Sequence, residues 1–293
     1  MVLVGGSVAV SSTLSETHLF TAQAVRYAIA CLLLVGFGRL TGRRLTMPRG
    51  AEWLWLIGVA ATGLLVFNMA LVHGARHAEP AVIGVAVACV PLVLAVIGPL
   101  QEGNRPTPVV LAGALLVTVG AVMVLGLGRS DAVGLGWAVV VLACEAGFTL
   151  LAIPVLRRHG PWGVSVHATW IATVAFAAVG VVKERPVAVT QLRGSEWLAV
   201  GYLAVGVTAV AFVLWYTCVR SLGASRAGLL TGVVPIAAAA VGVVLGGPMP
   251  TLVVWAGIAV VAAGLIIGMA GGASTSGADG SAAGTSEDVP AAG

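Results

Sequence analysis

The sequence predicts an all-α membrane protein of ten transmembrane helices, arranged as two inverted five-helix repeats. Three observations carry that prediction. The first is composition: 59% of the 293 side chains are hydrophobic and only 9% are charged, against about 25% charged in a soluble domain. So few charges cannot cover a water-facing surface, and lipid is the solvent for most of the chain. The second is run length. A helix rising about 1.5 Å per residue needs about 20 apolar residues to cross a hydrocarbon core of about 30 Å, and such runs recur to the end of the chain. The third is repetition: PTPVVLAGALLVTVG, residues 106–120, returns as PTLVVWAGIAVVAAG, residues 250–264, at an offset of 144 positions. The same offset aligns Glu52-Trp53-Leu54 with Glu196-Trp197-Leu198, Arg76 with Arg220, Gly84 with Gly228 and Pro91 with Pro235.

Taken in order, residues 1–14 are apolar but short for a crossing, so the first helix is thinned and tilted or partly missing from the reading frame. Residues 20–40 make the second span, ending in Arg39, Arg43, Arg44 and Arg49; the third covers 52–72, the fourth 80–100 around Pro91, and the fifth 107–127. The polar break GRSD, 128–131, separates the halves. The sixth span runs over 134–156 to Arg157-Arg158, the seventh over 164–182, the eighth over 196–219, the ninth over 224–245 around Pro235, and the tenth over 251–270. This gives a first repeat at 1–127, a second at 134–271, and a disordered tail at 272–293 composed almost wholly of small and polar residues.

An odd number of crossings per repeat makes the second repeat enter from the opposite side, which relates the halves by a pseudo-two-fold axis in the membrane plane. The basic residues orient them. With the N-terminus inside, inner loops hold nine arginines (39, 43, 44, 49, 105, 157, 158, 220 and 226), and outer loops hold five basic residues (76, 129, 183, 185 and 193). Both termini are therefore expected on the cytoplasmic side of the cell membrane. The net charge of +4 belongs to this asymmetry and not to a nucleic-acid surface. Gly113 and Gly120, with their mates Gly257 and Gly264, suit close helix contact. Cys31, Cys89, Cys144 and Cys218 lie apart in apolar runs and read as small buried hydrophobes.

The paired five-span halves, Arg26-Tyr27 at the start of span two, the apolar-Pro-apolar fourth and ninth spans, and the Pro-Thr openings of the fifth and tenth resemble the EamA-domain transporters of the drug/metabolite transporter superfamily. The resemblance covers residues 1–271. It implies ten helices around a central cavity lined by spans one, three, four, six, eight and nine, and movement of small metabolites by alternating access. Members usually carry a Trp-Gly pair near the middle of span one; Gly5-Gly6-Ser7 stands there in this chain.

Glu145 lies at the centre of span six. A carboxylate at that depth costs about 2.5 kcal/mol or more to insert and normally faces a cavity or a partner. It reads as a proton-coupling or cation-attracting group, or as a protonated acid bonded to a neighbour. Thr149 follows by four and shares its face. Asn68 of span three and its repeat mate Phe212 stand at equivalent positions, and Trp215 shares a helical face with Thr208 and Phe212. Glu145, Thr149, Asn68, Thr208, Phe212 and Trp215 are thus the candidate cavity residues. Tyr216 reads as an interface anchor, and Arg26 as a snorkelling residue in a structural ion pair. Pro91 and Pro235 are hinge candidates, since each frees a carbonyl within its helix. His73 and His77, four apart, have no third ligand nearby, so no metal is expected.

No HExxH, GxSxG, Walker loop or zinc-type cluster occurs, so neither catalysis nor a cofactor is expected. The expected function is secondary-active export of a small molecule through the lipid bilayer, driven by protons if Glu145 titrates in the cycle. The alternatives are an uncoupled facilitator or exchanger and, from another class, a non-transporting intramembrane enzyme or scaffold. The state of assembly is read as monomer or homodimer.

Overall fold

The structure is a computed structural model of the chain and describes residues 19–184, 194–244, 246 and 249–270. The expected first span and tail lie outside these residues, as does most of the polar connection after the seventh span. Among the described residues, nine helices are long and apolar enough to cross a membrane. They are α1 (Leu19–Leu40), α2 (Glu52–Gly74), α3 (Pro80–Gln101), α4 (Pro108–Leu125), α5 (Ala132–Leu150), α6 (Ile153–Lys183), α7 (Trp197–Leu222), α8 (Ala224–Val241) and α9 (Leu252–Ala270). Among the described residues the one β-bridge is isolated, Ala78 to Ser130, in the connections between helices.

Punctuation along the chain follows backbone chemistry. Pro80 and Pro108 open α3 and α4, where a missing N–H costs nothing. The Asp131 side chain accepts the Gly134 amide at 2.8 Å and caps α5. Past Leu150 the chain does not stop: Leu156 N–H reaches Ala152 O at 2.9 Å, so helical winding continues as far as His159. It ends at Gly160, whose φ of 66° reverses the chain before Pro161 starts the next crossing. The winding of the sixth span therefore runs three residues past its expected end at Leu156.

The closest helix pair is α4 against α9, and glycine makes it possible. A Cβ on Gly113 would lie 2.8 Å from Gly264 O, and one on Gly120 would lie 2.7 Å from Gly257 O. The reciprocal positions, Gly264 to Gly113 O and Gly257 to Gly120 O, are both at 2.8 Å. Lipid supplies no hydrophobic force between helices, so backbone-to-backbone approach of this kind holds them together.

Two irregular segments stand out. Helix α2 widens into π winding at Ala61–Val66, and α7 does so at Leu203–Val210. In α3 the winding breaks at Cys89, just before Pro91, and in α8 a 3-10 turn, Leu230–Gly232, precedes Pro235.

Candidate functional site

The interior polar residues form two groups joined by α7. The first begins on α1. Gln23 Nε2 donates to Asn68 Oδ1 at 2.8 Å, and Asn68 Nδ2 donates to Tyr27 Oη at 3.0 Å and to the Leu64 carbonyl. Arg26 donates from Nε to Thr208 Oγ1 at 3.0 Å and from Nη1 to Gln23 Oε1 at 3.3 Å. Gln23, Arg26 and Thr208 are all buried. The π segment of α2 lies one turn before Asn68, and that of α7 contains Thr208. Such widened turns rotate the residues beyond them and recur at functional sites.

The second group surrounds Glu145. On α5 the residues Val139 and Ala143 are exposed, while Ala138, Val141 and Thr149 are buried. Glu145 stands with the buried set and so points into the bundle, yet it is only half-buried itself. Its carboxylate has no hydrogen bond to any described residue. Among those residues the one fully enclosed side-chain nitrogen or oxygen without a partner is His159 Nδ1, so the Glu145 oxygens border open space. Around them, Trp215 Nε1 donates to Thr149 Oγ1 at 3.1 Å. The Phe148 ring packs, tilted, against Phe212 at 5.0 Å and against Tyr216 at 5.1 Å between centroids.

Of the six candidate cavity residues, Asn68 and Thr208 fall in the first group, and Glu145, Thr149, Phe212 and Trp215 in the second. Two expectations change. Tyr216 is not an interface anchor: it is wholly buried and donates to the Phe148 carbonyl at 3.1 Å. That carbonyl is free because the turn at 151–152 sends Ala152 N–H to Thr149 O instead. Arg26 neither snorkels nor pairs with an acid among the described residues; its partners are neutral. Gln23 carried no signal beyond being a polar residue one turn before Arg26, and that spacing was the available clue.

Charges collect at the ends of the bundle. At one end Glu52 receives Arg158, His159 Nε2 at 3.2 Å and the Arg49 amide at 2.8 Å. His167 Nε2 donates to Thr46 O at 2.9 Å beside them. At the other end Glu79 takes the Arg129 side chain at 3.0 Å, and Asp131 takes His77 Nδ1 at 2.9 Å. Hydrogen bonds from the Arg129 backbone and side chain hold the Glu79 carboxyl below its ordinary value, and the Gly134 amide and His77 do the same for Asp131. His73 Nδ1 donates to Met69 O instead of facing His77, and no group of three metal-ligating side chains occurs among the described residues.

Known proteins resemble this arrangement. The chain is 25% identical over 284 residues to the uncharacterized transporter YetK of Bacillus subtilis, covering 91% of this chain and 83% of that protein. It is 27% identical over 257 residues to the aromatic amino acid exporter YddG of Ancylobacter novellus, covering 85% of each. A protein of Streptantibioticus cattleyicolor named as a probable terminal-alkyne amino-acid exporter is 27% identical over 243 residues, 80% of this chain and 78% of its own. A crystallographically determined chain, 22% identical, superimposes over 91% of this chain and 93% of itself with a TM-score of 0.76, which shows the fold. The family model for the EamA-like transporter family matches residues 1–126 and again 132–269. The chain, a multi-pass membrane transporter and not an enzyme, belongs to the EamA-like transporter family.

Proposed function

We propose that this transporter exports small amphipathic metabolites, amino acids with apolar or aromatic side chains first among them, by alternating access about a site near the bilayer midplane. The observation that carries the reading is the wall of Phe148, Phe212, Trp215 and Tyr216 beside an unpaired, inward-pointing Glu145. An aromatic wall favours flat apolar groups, and a carboxylate beside open space attracts an ammonium group or a proton. Two relatives named as amino-acid exporters support the substrate class and direction.

Ten spans in two inverted repeats, with both termini cytoplasmic, complete the proposal. It is supported by the two family matches and by the reciprocal glycine contacts between α4 and α9, which exchange with each other under the 144-residue offset. Pro91 and Pro235, beside broken winding in α3 and α8, serve as hinges for rocking the halves. Glu145 couples export to proton entry from outside. The test is efflux of labelled L-phenylalanine from proteoliposomes under an imposed pH gradient. Wild-type protein is expected to accelerate efflux when the receiving side is acidic, and Glu145→Gln to abolish that acceleration while leaving downhill exchange. An unchanged gradient response in the variant eliminates proton coupling; no efflux of any amino acid from wild type eliminates the substrate class.

A further inference from the structure

Arg26 is a cation within an apolar helix, and no anion among the described residues meets it. It lies seven residues into α1, roughly 10 Å along the axis. The ion pairs among the described residues all lie at the bundle ends, on Glu52, Glu79 and Asp131. Removing a guanidinium from water without a counter-charge is costly, and such residues in membranes mark ligand paths more often than packing.

The geometry leaves a place for that counter-charge. A guanidinium offers five N–H donors. Nε is engaged by Thr208 and Nη1 by Gln23, while Nη2 donates to no described residue. Because Nη2 is unpartnered and does not count among the enclosed orphan atoms, it keeps a face on open space. Its aim is fixed from behind. Asn68 spends its amide hydrogens on Tyr27 and Leu64, so its oxygen takes Gln23 Nε2, which turns Gln23 Oε1 toward Arg26. The guanidinium also lies 5.1 Å from the centre of the Tyr27 ring, itself stacked at 5.6 Å on Phe176. A charged fork held in one orientation beside aromatic rings suits a carboxylate attached to an apolar body.

We infer that Arg26, oriented by Gln23, Asn68 and Thr208, forms an anion subsite that holds the carboxylate of the transported molecule. The inference rests on the proposed amino-acid substrate and adds a second pole to its site, opposite in charge to Glu145.

Benzoate and benzamide, added separately to the purified full chain in detergent, test the subsite without requiring transport. Benzoate is expected to raise the thermal unfolding midpoint of wild type in a saturable way, with benzamide giving no rise. Arg26→Gln should abolish the benzoate shift, and Thr208→Val or Arg26→Lys should weaken apparent benzoate affinity several-fold, so a folding failure of one variant leaves the others to report. In proteoliposomes, Arg26→Lys should raise the half-saturation concentration for L-phenylalanine about tenfold and leave that for L-phenylalaninamide within twofold. No benzoate shift in wild type, or an equal loss for acid and amide in the variants, overturns the subsite in favour of a structural brace between α1 and α7. Benzoate binding that depends on Arg26, without amino-acid efflux, would keep the subsite and overturn the proposed substrate.

Discussion

Helices α2 and α7 align with each other at the 144-residue offset of the sequence, and both carry π winding at matched positions: Ala61–Val66 in one, Leu203–Val210 in the other. The residues just beyond the widened turn differ. In α2 the polar one is Asn68, whose amide is saturated by Gln23, Tyr27 and Leu64. In α7 the residue at the same offset is Phe212, which packs against Phe148 and leads to Trp215 and Tyr216. Thr208, inside the second π segment, reaches across to Arg26, where the first half has Leu64. One duplicated backbone feature has thus been kept while its side chains diverged, polar and fixed on one side, aromatic on the other. Two unlike walls of this kind match the amphipathic substrate proposed above.

The largest effect should come from removing the polar wall. Asn68→Leu orphans Gln23 Nε2 and Tyr27 Oη and should cost about 2 kcal/mol, combining the usual penalty of an unpaired buried group with the weaker worth of interhelical bonds in lipid. Thermal unfolding in detergent measures it, and a loss as small for Asn68→Leu as for Phe212→Leu would erase the contrast between the halves.

A smaller effect is expected on the aromatic side. Tyr216→Phe keeps the ring against Phe148 and removes only the bond to the Phe148 carbonyl, so about 1 kcal/mol should be lost. A variant as stable as wild type would mean that water satisfies that carbonyl and that the hydroxyl has another purpose.

The smallest effect concerns the clip between the loop before α3 and the loop before α5. Glu79 and Asp131 have carboxyls held below their ordinary values of 4.5 and 3.8 by hydrogen bonds from the Arg129 and Gly134 backbones and from their side-chain partners. Groups lowered in the folded state stabilise it above the unfolded value, and that contribution is lost as pH falls through the folded one. The clip should be intact at neutral pH and loosen only below about pH 4, the more weakly because both groups are solvent-screened. Glu79→Gln should flatten part of the acid limb of the unfolding curve; a stability loss between pH 5 and 7 from these groups would contradict it.

Much of the architecture was legible because its causes are local. Hydropathy marks the described spans within a few residues except at the junction of α5 and α6, since any segment of that length and apolarity must satisfy its backbone internally. Where winding passes the expected end at Leu156 and continues to His159, the reason is a reversal deferred to Gly160, whose positive φ the apolar pattern does not encode. The candidate residues were found as polar interruptions in apolar runs, which is why Glu145, Asn68 and Thr208 were visible and the role of Gln23 was not. Tyr216 was misread because an aromatic near a helix end looks alike whether it meets headgroups or a carbonyl released by a broken turn.

By itself, then, the amino-acid order determined lipid as solvent, the number and length of the described crossings, and a duplicated plan with glycines spaced for close contact. These arise from composition, rise per residue and repetition, none of which needs a partner. Tertiary structure alone decided that Arg26 meets Thr208 and Gln23 and no acid among the described residues, that α2 and α7 unwind at matched points, and that Glu145 is left facing open space. Those outcomes depend on which helices approach, and in lipid that choice is made by backbone fit and hydrogen-bond geometry across the bundle, beyond the reach of any pattern along one helix.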